Sequence, residues 1–168
     1  MRIVSVVGLA LVAAFLASAC GEARKASVPQ VAAPAAVKGG VMEAEHMVLK
    51  DCSVKELASA SGGKAVLMDK DTSEARCTIY LAEGTYGVSV YMQGESTDED
   101  AVFVTMAGGD KYRVFADPWG EVVAGTVLEL EGTSIPVTMK ASGPCEVVLT
   151  TAEKNVYVDR IVFTPREK

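Results

Sequence analysis

The sequence predicts an all-β domain, a sandwich or a barrel, over residues 41–168. Apolar and polar residues alternate with a period of two along this region, which is the pattern of half-buried strands. Turn-forming residues recur at intervals of roughly 8–12 positions, as expected of sandwiches and barrels. The region is also long enough to build the core of one domain.

Residues 1–19 have the pattern of an export signal. Arg2 precedes an apolar run from Ile3 to Leu16, and the small residues 17–19 follow it, as in a signal peptide with its cleavage site. The run is too short for a permanent membrane helix. Cys20 comes next and favours bacterial lipoprotein processing, with ordinary signal peptidase cleavage as the alternative.

A lipidated Cys20 would anchor the protein to a membrane through its acyl chains. Gly21 at the following position then indicates the outer membrane of the cell envelope, and a periplasmic or secreted protein is the alternative. The remainder of residues 20–40 is rich in Ala, Pro and Gly without a hydrophobic period. We interpret it as a flexible linker.

The folded region follows as a series of strands separated by turn residues. Gly108-Gly109 between two apolar segments predicts a tight hairpin. A short helix is predicted at 54–58. The predicted strands lie near 42–49, 64–69, 76–82, 86–93, 101–106, 111–116, 121–130, 134–140, 145–151 and 156–164.

The last strand, 156–164, is apolar on both alternating faces, which predicts a central position in a sheet. One face carries Tyr157, Asp159, Ile161 and Phe163, and the other carries Val156, Val158, Arg160 and Val162. A carboxylate in such a strand needs a cation, a metal or several hydrogen-bond donors to remain charged.

Glu43 and Glu45 are spaced by two in the first strand, so their carboxylates are predicted to point the same way. If they converge with Asp159, a divalent cation between them would relieve the repulsion, and oxygen ligands of this kind suit Ca²⁺. The alternative is that the glutamates are solvated edge residues and that Asp159 pairs with Arg160 or a lysine.

Three segments together resemble the carbohydrate-binding modules of families 6 and 35. They are Glu43-Ala44-Glu45, the stretch 83–90 and the closing Val158-Asp159-Arg160-Ile161-Val162-Phe163. The resemblance covers roughly residues 41–165. It implies a galactose-binding-like jelly-roll sandwich over 41–168, non-catalytic glycan binding, and a structural Ca²⁺ held by Glu43, Glu45 and Asp159.

Sugar binding requires an aromatic ring against the apolar face of the sugar, with polar groups around it. Trp119 is the one tryptophan and lies in the turn Asp117-Pro118-Trp119-Gly120. The further candidates for the carbohydrate-binding surface are Tyr112, Tyr157 and Asn155. The alternative for Trp119 is that it plugs one end of the sandwich.

With Cys20 lipidated, three cysteines remain in the domain, so one disulfide at most can form. The strand order of the resembled modules places strand 76–82 antiparallel beside strand 145–151, with Cys77 and Cys145 at opposite ends. Cys52 would then share an end with Cys77, and we expect the disulfide Cys52–Cys77.

Charge and residue types exclude several functions. The formal net charge of −6 argues against nucleic acid, whose binding depends on Lys and Arg contacts with phosphate. A lone histidine, His46, and the lack of paired cysteine motifs argue against zinc and against acyl-transfer catalysis. The acidic run 95–100 is interpreted as a solvated hairpin loop.

We therefore predict a monomeric, non-enzymatic lipoprotein of the bacterial cell envelope that binds a polysaccharide or an oligosaccharide. The alternative is a structural or protein-interaction envelope lipoprotein with the same sandwich and no sugar site. An exposed Trp119 beside polar and aromatic loop residues would favour the first, and a buried Trp119 the second.

Overall fold

A computed structural model describes residues 39–167. The predicted signal peptide 1–19, Cys20 with its proposed lipid and most of the predicted linker 20–40 lie outside this range. The described residues form thirteen strands and three short 3₁₀ helices. No helix among them is long and apolar enough to cross a membrane. The predicted all-β fold is confirmed.

The strands are β1 (Gly40–Glu43), β2 (Val48–Lys50), β3 (Ser53–Glu56), β4 (Lys64–Met68), β5 (Glu74–Leu81), β6 (Gly84–Gln93), β7 (Ala101–Met106), β8 (Lys111–Phe115), β9 (Val123–Ala124), β10 (Thr126–Val127), β11 (Ile135–Met139), β12 (Gly143–Thr151) and β13 (Val156–Arg166). The 3₁₀ helices span Ala44–His46, Ser61–Gly63 and Leu128–Leu130.

Two antiparallel sheets contain all of these strands. Sheet 1 has the order β11-β6-β13-β4-β3, with β1 also paired to β13 and β9 also paired to β6. Sheet 2 has the order β10-β8-β7-β12-β5-β2. The closing strand β13 therefore lies inside sheet 1, as its apolar faces predict.

One apolar cluster built by both sheets forms the core. Val88 and Val90 of β6 and Ile161 of β13 enter it from sheet 1, and Val147 and Leu149 of β12 enter it from sheet 2. All five are at most 1% exposed. Burying side chains of this size contributes about 1.5–3 kcal/mol each, so the alternating apolar positions supply the main stabilisation of the fold.

A β-bulge interrupts β13 between Val158 and Arg160. The extra residue shifts the side chains that follow it, so Ile161 and Phe163 lie in the same buried cluster as Val158. The predicted strict alternation of faces is wrong for this reason. Asp159 itself is fully buried at the bulge.

Several predicted elements need correction. The opening strand 42–49 is broken by a 3₁₀ helix at Ala44–His46, after which β2 joins sheet 2. Glu43 and Glu45 therefore do not lie on one strand face. The segment 54–58, predicted as a helix, overlaps β3, which pairs with β4. The predicted strand 121–130 is divided into β9, β10 and a 3₁₀ helix.

The hairpin predicted at Gly108-Gly109 is confirmed between β7 and β8. Ala107 and Gly108 have φ values of 49° and 68°, and the Gly109 N–H donates to the Met106 carbonyl at 2.8 Å. Two consecutive residues with positive φ give a turn whose twist matches that of the paired strands.

Cys52, Cys77 and Cys145 are free thiols in the structure, and the predicted Cys52–Cys77 disulfide is absent. The Cys52 thiol lies 3.2 Å from the Lys50 carbonyl oxygen and 3.4 Å from the Glu74 carbonyl oxygen. Cys77 instead packs in the core. Burial raises the pKa of Cys77 to about 11, with a smaller contribution from the nearby Cys145.

The predicted antiparallel pairing of β5 and β12 is correct, but its register differs from the prediction. Cys77 lies opposite Val147, and Cys145 lies opposite Ile79. Cys77 and Cys145 are therefore diagonal neighbours and not residues at opposite ends of the pair. The reason is that β12 begins at Gly143, earlier than predicted, and overlaps β5 along its whole length.

Candidate functional site

Trp119 lies in the loop 116–122, between β8 and β9, and its side chain is half exposed. Its relative exposure is 47%. The indole N–H donates to Asp100 Oδ2 at 3.0 Å, and the Gly120 N–H donates to the Gly94 carbonyl at 2.8 Å. These two bonds tie the loop 116–122 to the loop 94–100, so the ring is held at a fixed position while one side remains open to solvent.

Asp100 is the buried polar residue that holds this arrangement. It is 6% exposed, and its N–H donates to Glu153 Oε2 at 3.1 Å. Its Oδ1 atom is buried and has no hydrogen-bond partner. Burial raises the pKa of Asp100, and the nearby Glu153 raises it further. The Trp119 N–H and the Arg113 guanidinium oppose this shift.

A cleft of about 450 Å³ opens beside Trp119. The residues that line it are Asp100, Phe115, Asp117, Trp119, Thr126 and Leu128. Three of them supply apolar or aromatic surface, and the other three supply oxygen atoms. An apolar wall with a few converging polar groups is the usual composition of a small-molecule site, and such a cleft can hold a ring with donor groups on its edge.

The four residues predicted for carbohydrate binding do not form one site. Asn155 lies at the same end of the domain as Trp119, because its side-chain amide donates to Glu99 Oε1 at 2.5 Å in the loop 94–100. Tyr157 is partly exposed on β13, opposite Gln93 and Leu67 in the neighbouring strands.

Tyr112 lies away from Trp119, in a second cleft of about 260 Å³. That cleft is lined by the hairpin after β7 and by β11, with Met106, Ala107, Gly109, Asp110, Tyr112, Ile135, Pro136, Val137 and Thr138 around it. Trp119 and Tyr112 therefore belong to different clefts.

Five residues of the Trp119 cleft are not among those predicted from the sequence to bind carbohydrate: Asp100, Phe115, Asp117, Thr126 and Leu128. Asp100 was assigned to a solvated acidic loop, and that interpretation is wrong for this residue because it is buried under Trp119. The available signal was its position directly before the apolar strand β7. Asp117 lies two residues before Trp119 in the same loop, whereas Thr126 comes beside Phe115 through the pairing of β8 with β10, which a single sequence does not reveal.

The residues predicted to hold calcium lie near the C-terminal end of β1. Glu43 Oε1 accepts a hydrogen bond from the Ser61 hydroxyl at 3.3 Å. Glu43 Oε2 and Glu45 Oε2 are both buried without a hydrogen-bond partner. Buried carboxylate oxygens normally have a partner, so these two atoms are chemically suited to a cation.

Both carboxylate oxygens of Asp159 have partners within the protein. Its Oδ1 accepts from the Ser61 N–H at 2.9 Å, and its Oδ2 is bound by the Arg160 guanidinium. That guanidinium also lies 4.0 Å from the centre of the Tyr91 ring. Burial raises the pKa of Asp159, Arg160 and the Ser61 N–H oppose the shift, and the nearby Glu43 adds to it.

Within residues 39–167 no group of three or more His, Cys, Asp or Glu residues is arranged to hold a metal ion. Two of the three predicted calcium ligands, Glu43 and Glu45, have a free buried oxygen, whereas Asp159 is engaged by Arg160 and Ser61. Glu43 and Glu45 therefore each offer one buried oxygen that a cation could satisfy, whereas Asp159 already has partners within the fold.

Comparison with known proteins identifies the fold. No family model and no curated protein sequence matches the chain. The GH26-CBM35 β-(1,4)-mannanase of Podospora anserina matches with a TM-score of 0.61 at 18% identity, over 78% of this chain and 28% of that chain. A family 35 carbohydrate-binding module of Clostridium thermocellum matches with a TM-score of 0.57 at 12% identity, over 77% of this chain and 100% of that module.

An exo-β-1,3-galactanase of Phanerochaete chrysosporium matches with a TM-score of 0.57 at 20% identity, over 76% of this chain and 29% of that chain. This chain thus spans less than a third of the two enzymes' length but the whole of the family 35 module. At these identities the likeness is one of fold. The domain has the jelly-roll-like fold of family 35 carbohydrate-binding modules, and the predicted resemblance is confirmed at that level.

Proposed function

We propose that the domain binds a glycan in the Trp119 cleft without acting on it chemically. The observation that carries this proposal is the half-exposed indole ring, which Asp100 fixes in orientation at the wall of the cleft. A pre-oriented aromatic ring can stack on the apolar face of a sugar at a low entropic cost. Asp100, Asp117 and Thr126 supply oxygen acceptors for its hydroxyl groups.

The structural or protein-interaction alternative expects Trp119 to be buried as a plug of the sandwich. The exposure of 47% and the cleft beside the ring favour the glycan. A binding role also agrees with the residue types. The lone histidine, His46, is exposed on the 3₁₀ helix after β1, and it is not among the residues that line the cleft.

Isothermal titration calorimetry of the purified protein against a panel of soluble polysaccharides and oligosaccharides tests this proposal. We expect saturable binding of at least one glycan. Trp119→Ala should weaken it about 30-fold, since an aromatic anchor is typically worth about 2 kcal/mol. Intrinsic fluorescence gives a second readout because Trp119 is the only tryptophan of the chain.

Val48→Ala is the matched control. Val48 is an exposed apolar residue on β2, at the edge of sheet 2, and it does not line the cleft. Shortening its side chain should therefore leave the glycan affinity unchanged. Equal affinity of the wild-type protein and the Trp119→Ala variant would show that the glycan binds outside the Trp119 cleft. No heat across the panel would favour the structural alternative.

We further propose that the protein is displayed on the bacterial envelope through a lipid on Cys20. The support is the sequence of residues 1–20, with its apolar run and its cysteine directly after a small-residue cleavage site. Metabolic labelling with palmitate should mark the wild-type protein and not the Cys20→Ser variant. Labelling of both would contradict the anchor, and secretion of an unlabelled wild-type protein would favour ordinary cleavage.

We also propose a structural Ca²⁺ held by Glu43 and Glu45. The support is the pair of buried carboxylate oxygens without donors, which are hard ligands of the kind that Ca²⁺ prefers. Calcium at 100 times its dissociation constant should stabilise the fold by about 2.7 kcal/mol. Thermal melts with calcium and with a chelator measure this effect.

The variant Glu45→Gln should lose the calcium-dependent rise in melting temperature, and Glu129→Gln, an exposed acid outside the site, should retain it. A wild-type protein whose melting temperature is the same in millimolar calcium and in chelator would contradict the calcium proposal.

A further inference from the structure

The polar atoms of the Trp119 cleft are mainly negatively charged acceptors. Asp100 and Asp117 line it as carboxylates, and Thr126 adds a hydroxyl. Carboxylate oxygens accept hydrogen bonds and donate none. Asp100 Oδ1 stands out because it is buried and receives no hydrogen bond, in a residue that is only 6% exposed. A ligand that brings donors and positive charge would be stabilised by the negative potential at this end of the cleft.

Among the residues that the structure describes, no Lys or Arg forms an ion pair with these two carboxylates. Arg113 is near enough to lower the pKa of Asp100, but its guanidinium is bound to Glu153. Within residues 39–167 neither Asp100 nor Asp117 forms a salt bridge. The buried Asp100 gains most from a cationic ligand, because a charge shielded from water is costly without a partner, and the exposed Asp117 adds negative charge at the mouth of the cleft.

We propose that the cleft selects a sugar that carries an ammonium group, as in glycans with free amino sugars. This inference rests on the proposed glycan-binding function and names its substrate class. The sugar ring stacks on Trp119, and the ammonium group lies on the side of Asp117 and Asp100. An ammonium group offers three donors, and hydrogen bonds between two ionised groups are about twice as strong as neutral ones. Glycans rich in uronic acids are repelled by the same carboxylates.

Calorimetric titration with four oligosaccharides of equal length tests the proposal: a glucosamine oligomer, an N-acetylglucosamine oligomer, a neutral glucose oligomer and a uronic acid oligomer. We expect the glucosamine oligomer to bind about tenfold more tightly than its N-acetylated counterpart, a difference of about 1.4 kcal/mol. The uronic acid oligomer should bind most weakly. Added salt should reduce the preference because Asp117 is exposed and screened by ions.

Asp117→Asn and Asp100→Asn should each reduce the preference for the glucosamine oligomer while binding of the neutral oligomer persists. Asp117→Asn changes an exposed loop residue and so separates charge recognition from any effect of Asp100 on folding. Asp98→Asn is the matched control: it removes an exposed acid from the loop 94–100 that does not line the cleft. Its preference should equal that of the wild-type protein.

The outcomes distinguish this inference from the function on which it rests. Tight binding of the neutral or the uronic acid oligomer, with no preference for glucosamine, would overturn the amino-sugar assignment and leave glycan binding intact. Failure of all four oligomers and of the wider polysaccharide panel would overturn both. Binding of a lysine-rich peptide as tightly as the glucosamine oligomer would also overturn the assignment, since the cleft would then recognise ammonium groups without the sugar.

Discussion

Replacing Arg160 with Met should destabilise the domain by leaving Asp159 buried without its cation. Asp159 is fully buried, its other partner is the single Ser61 N–H, and Glu43 adds a like charge nearby. Removing one partner of a buried ion pair costs about 3–5 kcal/mol. The side chain of Arg160 is 26% exposed, so water can partly replace it. We therefore expect a loss of about 3 kcal/mol, including the stacking on Tyr91.

The loss should depend on pH in a defined direction. Burial already raises the pKa of Asp159 in the folded state, and the removal of Arg160 takes away the charge that opposes this shift. A carboxyl group with a raised folded-state pKa costs no stability below its unfolded pKa, near 4. The cost appears as the pH rises through the folded-state pKa. The difference between Arg160→Met and the wild-type protein should thus be largest at neutral pH and smallest below about pH 4.

Urea unfolding followed by circular dichroism, in the presence of a chelator, measures these free energies of unfolding. The chelator prevents a metal ion from replacing the guanidinium. The double variant Asp159→Asn/Arg160→Met buries no charge and should recover most of the lost stability. If the double variant is as unstable as Arg160→Met alone, or if Arg160→Met loses less than about 1 kcal/mol, the argument from a buried unpaired charge is refuted.

Two further predictions concern a close backbone contact and the buried thiols. Gly94→Ala should destabilise the domain by about 1–3 kcal/mol and shift the Trp119 emission, because its Cβ would lie 2.6 Å from the Asp100 backbone. Gly143→Ala has open space around its Cβ and should be neutral in the same melts. A thiol reagent followed by peptide mass mapping should label Cys52 in the native protein faster than Cys77, whose pKa burial raises to about 11; equal rates would contradict this.

Strand periodicity made the fold predictable, and two local irregularities limited the prediction. The alternation of apolar residues depends on burial alone, so it located most strands and the central position of β13. The bulge at Asp159 and the 3₁₀ helix at Ala44–His46 break the period without a distinctive residue pattern. They nevertheless affect the positions of Glu43, Glu45 and Asp159, and so the geometry of the predicted calcium ligands did not follow from strand periodicity.

The candidate site was predictable only in part, for a related reason. Trp119 was found because a large ring in a turn is unusual and chemically informative. Asp100 was not, because its hydrogen bond to Trp119 joins residues 19 positions apart in the chain. The one local difference from its neighbours in the acidic run is that Asp100 directly precedes the apolar strand β7, and this does not identify its partner. Such contacts depend on how two loops meet after the sheets have formed.

The two buried aspartates of this domain, Asp100 and Asp159, differ in whether the fold itself provides a cation for the carboxylate. Asp159 has Arg160 on the next residue and a backbone N–H from Ser61, so its charge is satisfied within the fold. The carboxylate of Asp100 receives only the Trp119 N–H, and its second oxygen is buried without a donor in a residue that lines the cleft. An unpaired buried carboxylate oxygen destabilises a fold. Such an oxygen beside the half-exposed ring is what we expect of a site completed by its ligand.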